Sequence, residues 1–388
     1  MDWKTKKLSD VLDIQNGYAF DSKQFSSEEG MPLIRIRDIS NGLKTVTNYA
    51  GEYKSIYVVR KGDFLIGMDG EFRCYEWKGE DALLNQRVCR LQNFSDELSA
   101  KFLSYGINKY LQDIEDVTGF TTVKHISASQ IKNIEFPIPP IPEQQRIVAI
   151  LDQAFADIEK ARANAEKNLK NARELFDSYL NQVFSQRGEG WVETTLSKAC
   201  SFSQGIQVGV KNQFDNGSKD RIRFLRIVDF TQDNDKHRYI DFPGEKYSVL
   251  ECDVSLVRYG ASAGFVCTGQ KGVIANNLFK VSPRSDAFTT KYLYYFLCST
   301  VFQAPIQRVI GGAAMPALSF NMINDLGFSY PDIEDQIRII NKIEKLFQKA
   351  KVLETIYAKK LSDLDDLKKS LLQKAFSGEL TKTSGQAA

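Results

Sequence analysis

The chain has 388 residues, and its 51 Lys and Arg nearly balance its 49 Asp and Glu, giving a formal net charge of +2. It has no apolar run of the roughly 18 residues that a membrane helix needs, and no apolar segment near its start, which predicts a cytoplasmic protein. Six scattered cysteines without a CxxC pair favour buried free thiols over a zinc site, and the small net charge leaves any nucleic-acid contact to local patches.

Residues 1–142 are predicted to form a β-rich domain. Their apolar runs are short and alternate with turn signals of the Asn-Gly and Asp-Gly type. The segment 95–115 has helical spacing, and Ser95 is its expected N-cap. The strand-like runs are 32–39, 54–68 and 85–92.

The most regular stretch of the chain follows directly. It opens with a proline-rich segment, which we expect to form an extended rod because proline fixes φ and cannot continue a helix. From Glu143 onward there is no Pro or Gly until Gly188, and helix-forming residues dominate. Apolar residues recur at alternating steps of four and three from Ile147 to Tyr179, which predicts a coiled-coil helix with Leu175 in its buried seam. The prolines are Pro137, Pro139, Pro140 and Pro142.

The same stretch occurs twice. With an offset of 192 residues, the segment 326–377 repeats the segment 134–185 without a gap. The second helix carries its own heptad seam, which includes Leu367. Residues 188–334, between the two helices, follow the plan of the first domain at lower identity, so one fold is predicted twice.

These patterns predict an α+β protein in which two β-rich domains are separated by two long coiled-coil helices. Because the first helix runs into the second domain and the second helix starts from that domain, the helices should pair antiparallel, with a pseudo-two-fold axis through the coiled coil. The predicted segments are 1–142, 143–187, 188–334 and 335–388.

Both helix starts carry a family signature. The chain reads PIPPIPEQQRI at 137–147 and YPDIEDQIRI at 330–339, and it has LLQKAFSGEL at 371–380. Two divergent β-rich domains that alternate with two such helices resemble the specificity subunit of a type I restriction–modification enzyme. The resemblance covers nearly the whole chain, although Asp335 replaces Glu143 at the second helix start.

The resemblance implies a non-catalytic chain that binds double-stranded DNA. Each β-rich domain would act as a target recognition domain for one half of a bipartite sequence, and the helices would fix the spacing of the two halves. The implied partners are two modification subunits, which methylate adenine with S-adenosylmethionine, and two restriction subunits, which use ATP and Mg. No cofactor is implied for this chain.

Polar loops of the two domains supply the candidate DNA-binding residues. Arg and Lys suit guanine and phosphate, whereas Asn and Gln suit adenine in the major groove. The alternative for each side chain is a solvated turn, or a strand cap for Asn85 and Gln86. The first-domain candidates are Asp69, Arg73, Asn85, Gln86, Arg87, Thr121, Thr122, Lys124 and His125. The second-domain candidates are Gln207, Lys211, Arg258, Tyr259, Ser262, Asn276, Asn277 and Arg308.

Four polar residues recur at the two helix starts. They are Gln144 and Arg146 in the first helix and Gln336 and Arg338 in the second. A coiled-coil seam does not require these side chains, so we expect them to dock the modification subunits. The alternative is an ordinary solvated helix face.

Two other classes of function stay open at this point. A coiled-coil scaffold with two ligand-binding domains would show the same repeat, and a DNA-binding assay separates the two hypotheses. A self-sufficient methyltransferase needs an Asn/Asp-Pro-Pro-aromatic pocket, which the chain lacks. The segment 264–271 mimics a phosphate loop, but Gln270 precedes its lysine and Gly272 stands where Ser or Thr is needed. The sequence therefore predicts no catalytic and no metal-binding residue.

Overall fold

The computed structural model describes residues 3–40, 44–118, 124–186, 188–232, 236–311 and 316–382. Its contacts divide the chain into two units. Unit 1 consists of Met1–Asn164 and Leu361–Ala388, and unit 2 consists of Ala165–Lys360. Each unit therefore contains one β-rich region and one part of each long helix.

The first β-rich region is built from short strands and three helices. The strands are β1 (Lys4–Lys7), β2 (Asp13–Asn16), β3 (Phe25–Ser26), β4 (Met31–Ile34), β5 (Asn48–Tyr49), β6 (Val58–Val59), β7 (Phe64–Gly67), β8 (Cys74–Glu76), β9 (Ala82–Leu84), β10 (Val88–Gln92) and β11 (Glu135–Ile138). The helices are α1 (Ile36–Ile39), α2 (Ala100–Val117) and α3 (Ala128–Lys132), and the first long helix, α4 (Ile141–Ser185), follows them.

The second β-rich region has the same kind of elements. Its strands are β12 (Val192–Thr195), β13 (Cys200–Gln204), β14 (Arg221–Leu225), β15 (Arg238–Asp241), β16 (Ser248–Val249), β17 (Val254–Val257), β18 (Val266–Cys267), β19 (Gly272–Ile274), β20 (Leu278–Pro283) and β21 (Gly327–Tyr330). Its helices are α5 (Leu196–Ala199), α6 (Val228–Thr231), α7 (Thr290–Cys298), α8 (Thr300–Ile310) and α9 (Phe320–Asn324), before the second long helix, α10 (Ile333–Phe376).

The two units share one strand order. In unit 1, an antiparallel sheet has the order β2-β10-β7-β8, and a mixed sheet has the order β3-β5-β4-β9-β6 with β4 and β9 parallel. In unit 2, the matching sheets are β13-β20-β17-β18 and β15-β14-β19-β16, with β14 and β19 parallel. The two-stranded sheets β1-β11 and β12-β21 complete the match. One fold is therefore used twice.

The first proline-rich segment forms a paired strand instead of a free rod. Thr5 of β1 lies opposite Pro137 of β11. Proline is tolerated there because a strand at the edge of a sheet has one side that needs no N–H donor. The helix α4 begins at Ile141, two residues before the predicted Glu143, so Pro142 stands in the first turn, where no intrahelical donor is required.

The core of unit 1 includes parts of both long helices. Ile147 of α4 and Ala375 of α10 are fully buried in it. The ring of Phe376 lies 5.0 Å from that of Phe102 and 5.9 Å from that of Phe136. Residues near the end of the chain therefore help to bury the core of the first β-rich region.

Unit 2 buries the opposite halves of the same helices. The ring of Phe184, near the end of α4, lies 5.8 Å from that of Phe296. Phe296 in turn lies 4.8 Å from Phe328 of β21. Phe184 and Phe328 are the repeat counterparts of Phe376 and Phe136, so the aromatic core is duplicated along with the strands.

The two long helices run antiparallel within each unit. Contacts between them join residues whose numbers rise along α4 and fall along α10. These contacts are Glu159–Lys368 and Arg162–Asp365 in unit 1, and Arg173–Glu354 and Phe176–Phe347 in unit 2.

The heptad seam departs from the prediction at three leucines, one of which, Leu353 of the second seam, is 36% exposed. Leu175 is 53% exposed and Leu367 is 46% exposed. In unit 2 the line of contact passes instead through Ala172, Phe176 and Leu180. These residues are four apart, and a helix of 3.6 residues per turn drifts away from a strict heptad unless it supercoils.

A buried glutamine connects the start of α4 to the rest of unit 1. Gln144 has no exposed surface. Its Oε1 accepts a hydrogen bond from the backbone N–H of Ser99 at 2.8 Å. Its Nε2 donates to the carbonyl oxygens of Glu97 and Pro139, both at 2.7 Å. One side chain therefore joins α4, the segment before α2 and the end of the proline-rich segment.

Unit 2 repeats this arrangement with Gln336, which is also fully buried. Its Oε1 accepts from the backbone N–H of Thr289 at 2.9 Å. Its Nε2 donates to the carbonyl oxygens of Ala287 at 2.9 Å and Pro331 at 2.8 Å. The recurrence of this glutamine in the repeat thus has a structural cause.

The same glutamine explains why α2 begins later than predicted. Ser99, and not Ser95, is the N-cap, and its hydroxyl accepts from the N–H of Phe102. Because Gln144 binds the backbone at Glu97 and Ser99, it holds the chain out of the helix at that point. The hydroxyl of Ser95, followed by two acidic residues, has the local pattern of a helix N-cap, but the helix does not begin there.

The predicted α+β class, with two β-rich domains and two long helices, is confirmed. The pseudo-two-fold axis stays a prediction. In the part of the chain that the structure describes, no helix combines the length and apolar character required to span a bilayer.

We expect Gln144→Leu to destabilise unit 1 by roughly 2–5 kcal/mol, because it keeps the volume but removes the hydrogen-bond partner of three backbone groups, of which the carbonyl of Pro139 is buried. Urea unfolding in a Trp191→Phe background, followed by the fluorescence of the unit 1 tryptophans, measures this loss.

The matched control is Gln145→Leu, whose side chain is exposed and whose effect should stay within about 0.5 kcal/mol. Equal unfolding midpoints for the two variants would show that the buried amide contributes nothing specific.

Candidate nucleic-acid interface

Three loops of the first β-rich region meet at what we call the unit 1 junction, formed by residues 68–70, 85–87 and 124–126. The N–H of Met68 donates to the carbonyl of Arg87 at 3.0 Å. The N–H of Ile126 donates to the carbonyl of Met68 at 2.9 Å, and that of Gly70 to the carbonyl of Lys124 at 3.0 Å. Backbone hydrogen bonds therefore fix the positions of all three loops.

A carboxylate organises the polar side chains of this junction. Asp69 accepts a hydrogen bond from Arg87, and Nδ1 of His125 lies 2.7 Å from its Oδ1. The Asp69 side chain is 11% exposed, whereas those of Arg87 and His125 are 60% and 59% exposed. The carboxylate is thus covered, and the two basic groups that it holds face solvent.

The unit 2 junction, formed by residues 258–260, 275–277 and 316–318, has the same backbone bonds. The N–H of Arg258 donates to the carbonyl of Asn277 at 2.8 Å, and that of Leu318 to the carbonyl of Arg258 at 2.7 Å. The N–H of Gly260 donates to the carbonyl of Pro316 at 3.0 Å. The two junctions therefore share one backbone arrangement.

The side chains of the unit 2 junction differ from those of unit 1. Tyr259 takes the place of Asp69 and is exposed. The guanidinium of Arg258 lies 4.9 Å from the centre of the Tyr259 ring and 5.8 Å from that of Phe320. This junction presents an aromatic ring with a stacked cation where unit 1 presents an ion-paired carboxylate.

Glycine is required where the first turn of each unit crosses its junction. A Cβ on Gly17 would lie 2.0 Å from the carbonyl oxygen of Asn85, and a Cβ on Gly205 would lie 2.2 Å from that of Ala275. The N–H of Tyr18 then donates to the carbonyl of Leu84. This close approach places a fourth loop, which begins with Gly17 or Gly205, beside each junction.

These contacts also correct the alignment of the two copies. The bridge between Tyr18 and Asn85 matches the bridge between Ile206 and Ala275. Asn276 and Asn277 are therefore the counterparts of Gln86 and Arg87. Aligning the letters NQRV at 85–88 with NNLF at 276–279 would give a register one residue off.

The structure separates the unit 1 candidates into groups. Asp69, Arg87 and His125 meet at the junction, and Gln86 is exposed beside Arg87. Asn85 is 6% exposed, so the prediction that its side chain contacts DNA is wrong. Its backbone takes part in the turn, donating to Ile34 and accepting from Val88.

The side chains of Arg73 and Lys124 form hydrogen bonds to another residue of the protein, Glu115. Arg73 donates to Oε2 of Glu115 at 3.2 Å, and Nζ of Lys124 donates to the backbone carbonyl of Glu115 at 3.0 Å. They tie two loops to the end of α2, which favours a supporting role over direct DNA contact. Thr121 and Thr122 lie outside the described residues.

The DNA-binding candidates of unit 2 also differ in position and burial. The Nδ2 group of Asn276 donates to Oε1 of Gln207 at 3.3 Å, and both side chains lie at the junction. Oδ1 of Asn277 is buried and has no hydrogen-bond partner among the described residues. Ser262 is half-buried in the turn after Tyr259, and its carbonyl accepts from Phe265.

Lys211 and Arg308 are exposed and stand apart from the other candidates. Lys211 lies in the 3₁₀ turn Val210–Asn212, and Arg308 lies near the end of α8. Within the described residues, no hydrogen bond or ion pair joins either side chain to the junction. Both stay predictions.

Tyr18 was not among the DNA-binding candidates predicted from the sequence. This side chain is 50% exposed beside the unit 1 junction, and its ring lies 5.1 Å from that of Tyr57. The glycine before it was a usable signal, because Gly17 and Gly205 precede equivalent positions in the two copies.

The helix-start residues predicted to dock partners divide into two buried glutamines and two exposed arginines. Gln144 and Gln336 are fully buried and hydrogen-bonded within their own units, so the prediction that they contact a partner is wrong. Arg146 and Arg338 are exposed, and Arg338 pairs with Asp335 at 2.9 Å. Only the arginines stay available to a partner.

The cysteines do not form a chemical site in the described part of the chain, and no group of His, Cys, Asp or Glu there could hold a metal ion. Burial raises the pKa of most of the thiols, so they are protonated at neutral pH. The pKa is raised to about 12 for Cys89, Cys200, Cys267 and Cys298, and it is also well above its usual range for Cys74. Cys252 is exposed.

Comparison with known proteins gives one consistent result. The family described as the type I restriction modification DNA specificity domain matches residues 1–167 and 211–360. The EcoBI specificity subunit of Escherichia coli, a type I restriction enzyme subunit, is 29% identical over 411 residues, which cover 98% of this chain and 86% of that protein. The StySPI specificity subunit of Salmonella potsdam is 22% identical, with coverage of 98% and 89%.

Solved structures show the same fold at low identity. A chain from a study of complex assembly and conformational transition of the type I R-M system matches with a TM-score of 0.76 and 18% identity, covering 97% of this chain and 98% of that one. The HsdS subunit from Thermoanaerobacter tengcongensis matches with a TM-score of 0.61 and 18% identity, covering 97% of both chains.

The burial of the cysteines predicts that a thiol reagent labels one of them selectively in the folded protein. At pH 8 the folded protein should react rapidly with a disulfide reagent at one thiol, Cys252, and all six thiols should react in denaturant, because only an accessible thiolate is a nucleophile. Cys252→Ser should abolish the rapid phase. A second rapid equivalent in the folded protein would contradict the assigned burial.

Proposed function

This chain belongs to the type I restriction modification DNA specificity family, and we propose that it is the DNA-recognition subunit of a type I restriction–modification complex. Each β-rich region reads one half of a bipartite DNA target. The specificity subunit of such a complex recognises the DNA sequence and does not catalyse a reaction. Partner subunits carry out methyl transfer and cleavage.

The single observation that supports this proposal most strongly is the pair of loop junctions. Their backbone hydrogen bonds are the same, yet the side chains at matched positions differ in chemistry. Asp69 corresponds to Tyr259, and Arg87 corresponds to Asn277. A fixed backbone with variable polar side chains is what two domains need in order to read two different half-sites.

In unit 1, the side chains suit a base edge or a phosphate. Arg87 can give two parallel donors to guanine O6 and N7, which is a common specific contact in the major groove. Asp69 holds Arg87 and His125 in place, so less side-chain freedom is lost on binding. We propose Arg87 and His125 as the reading groups, with Gln86 beside them and Asp69 as a positioning residue.

In unit 2, the reading groups are less basic. Asn276 and Gln207 offer amide groups, which can bind adenine N6 and N7. Tyr259 offers an exposed ring supported by Arg258, which suits contact with a base or sugar. We propose that this junction reads the second half-site.

The partners follow from the family. We propose that two modification subunits, which use S-adenosylmethionine, bind this chain, and that two restriction subunits, which use ATP and Mg, complete the nuclease. Arg146 and Arg338 are the helix-start residues that we propose for docking. We also propose that the long helices fix the number of unread base pairs between the half-sites.

Methylation mapping tests this function directly. Genomic DNA from cells that carry this gene with its modification partner should contain a split motif with methylated adenine in both halves, and the methylation should disappear without this gene. If both proteins are present and associate but produce no gene-dependent methylation, the scaffold alternative gains support.

Exchange of residues 188–334 for the matching domain of a relative should change one half of the motif and leave the other unchanged. Sequencing of the methylated sites gives the answer in one experiment. A change in both halves would contradict the assignment of one domain to one half-site.

We expect Arg87→Gln to lower affinity for the target duplex by about 10- to 100-fold and to relax discrimination at one position of one half-site, since a bidentate base contact is worth roughly 1–3 kcal/mol. Arg60→Gln is the matched control, because Arg60 is exposed before β7, at the end away from the junction. Equal affinities for the two variants would exclude Arg87 as a reading residue.

A further inference from the structure

The helix pair of unit 2 has one strongly basic face. Lys342, Lys345 and Lys349 of α10 line a groove there, and the rest of the lining is Leu175, Ser178, Tyr179, Gln182 and Leu346. All three lysines are exposed. The lining contains no carboxylate, and the serine and glutamine add neutral hydrogen-bond donors.

These lysines are not neutralised by nearby acids. Within the described residues, none of the three makes an ion pair or a side-chain hydrogen bond. The closest acidic residues of α10 along the chain are occupied, since Glu344 pairs with Lys291 and Glu354 pairs with Arg173. Positions 342, 345 and 349 fall on one face of a helix, so their charges reinforce one another.

The other face of the same helix pair is balanced. A groove on that side is lined by Arg173, Asp177, Lys351 and Glu354 beside Phe176. Two positive and two negative charges cancel there. The basic character is therefore a property of one face and not of the helices in general.

Unit 1 lacks the basic face at the equivalent positions of the repeat. Ile150, Gln153 and Asp157 stand where unit 2 has its three lysines, and Lys374 replaces Gln182. A surface for a partner that binds the two halves alike should recur in both copies. This face occurs in one copy, which disfavours a partner that binds the two halves alike.

We propose that the groove lined by Lys342, Lys345 and Lys349 binds the phosphate backbone of the DNA duplex and adds sequence-independent affinity. This proposal rests on the proposed function. The three lysine positions span about 10.5 Å of helix, at 1.5 Å per residue, and each strand of the duplex has one phosphate per roughly 3.4 Å of its axis. A run of phosphates can therefore meet the lysines without any particular base sequence.

The test compares two charge-matched double variants in the complex with the modification subunits. K345Q/K349Q removes two charges from the basic face, and K351Q/K369Q removes two from elsewhere on the same helix. Gln and Lys have similar helix propensities, so neither variant should alter the fold. Fluorescence anisotropy with a target duplex and a scrambled duplex, at a series of salt concentrations, gives the slope of log affinity against log salt.

For K345Q/K349Q, the slope should fall in magnitude by about 1.8 on both duplexes, because each phosphate contact contributes about 0.9. The ratio of target to scrambled affinity should stay at the parent value. K351Q/K369Q should keep the parent slope.

Two outcomes would overturn the proposal. One is a parent-like slope for K345Q/K349Q. The other is loss of the modification subunits from this variant in gel filtration, which would identify the groove as a protein interface. If the parent complex itself shows no preference for the target duplex, the proposed function fails separately, while the slope on scrambled DNA still tests the groove.

Discussion

A buried amide at the start of each long helix is the constraint on which both units depend. Gln144 and Gln336 are fully buried, and each satisfies one backbone donor and two backbone acceptors. The three groups belong to the helix approach and to the segment before α2 or α7, so the direction of each long helix is set relative to its own β-rich region. An apolar side chain would fill the space but would leave those groups unpaired.

In each β-rich region the hydrogen-bonded frame of the junction is separate from its exposed side chains. Backbone hydrogen bonds fix the junction loops, and Gly17 and Gly205 permit the fourth loop to approach them. The exposed side chains at positions such as Arg87 and Tyr259 take no part in that frame. Such positions can change without loss of the fold.

Much of the fold was predictable because its signals are local. Helix-forming composition, the proline-rich start and the repeat identified both long helices and the duplicated domains. The individual side chains of the site were less predictable because burial depends on distant parts of the chain. Gln144 and Asn85 are polar residues of types that usually lie at the surface. Both are nevertheless buried by segments far away in sequence. Asp69, Arg87 and His125 meet only because three loops are hydrogen-bonded together.

The discontinuous make-up of unit 1 has a consequence for synthesis on the ribosome. Unit 2 is one uninterrupted segment, Ala165–Lys360, whereas unit 1 needs Leu361–Ala388 as well as the first part of the chain. Ala375 and Phe376 contribute to its core, so the domain that is translated first is the last to be completed. Until Ala375 and Phe376 have been translated, the nascent amino-terminal half carries exposed apolar surface of the kind that chaperones bind. A stop codon before Ala375 would therefore damage the amino-terminal domain.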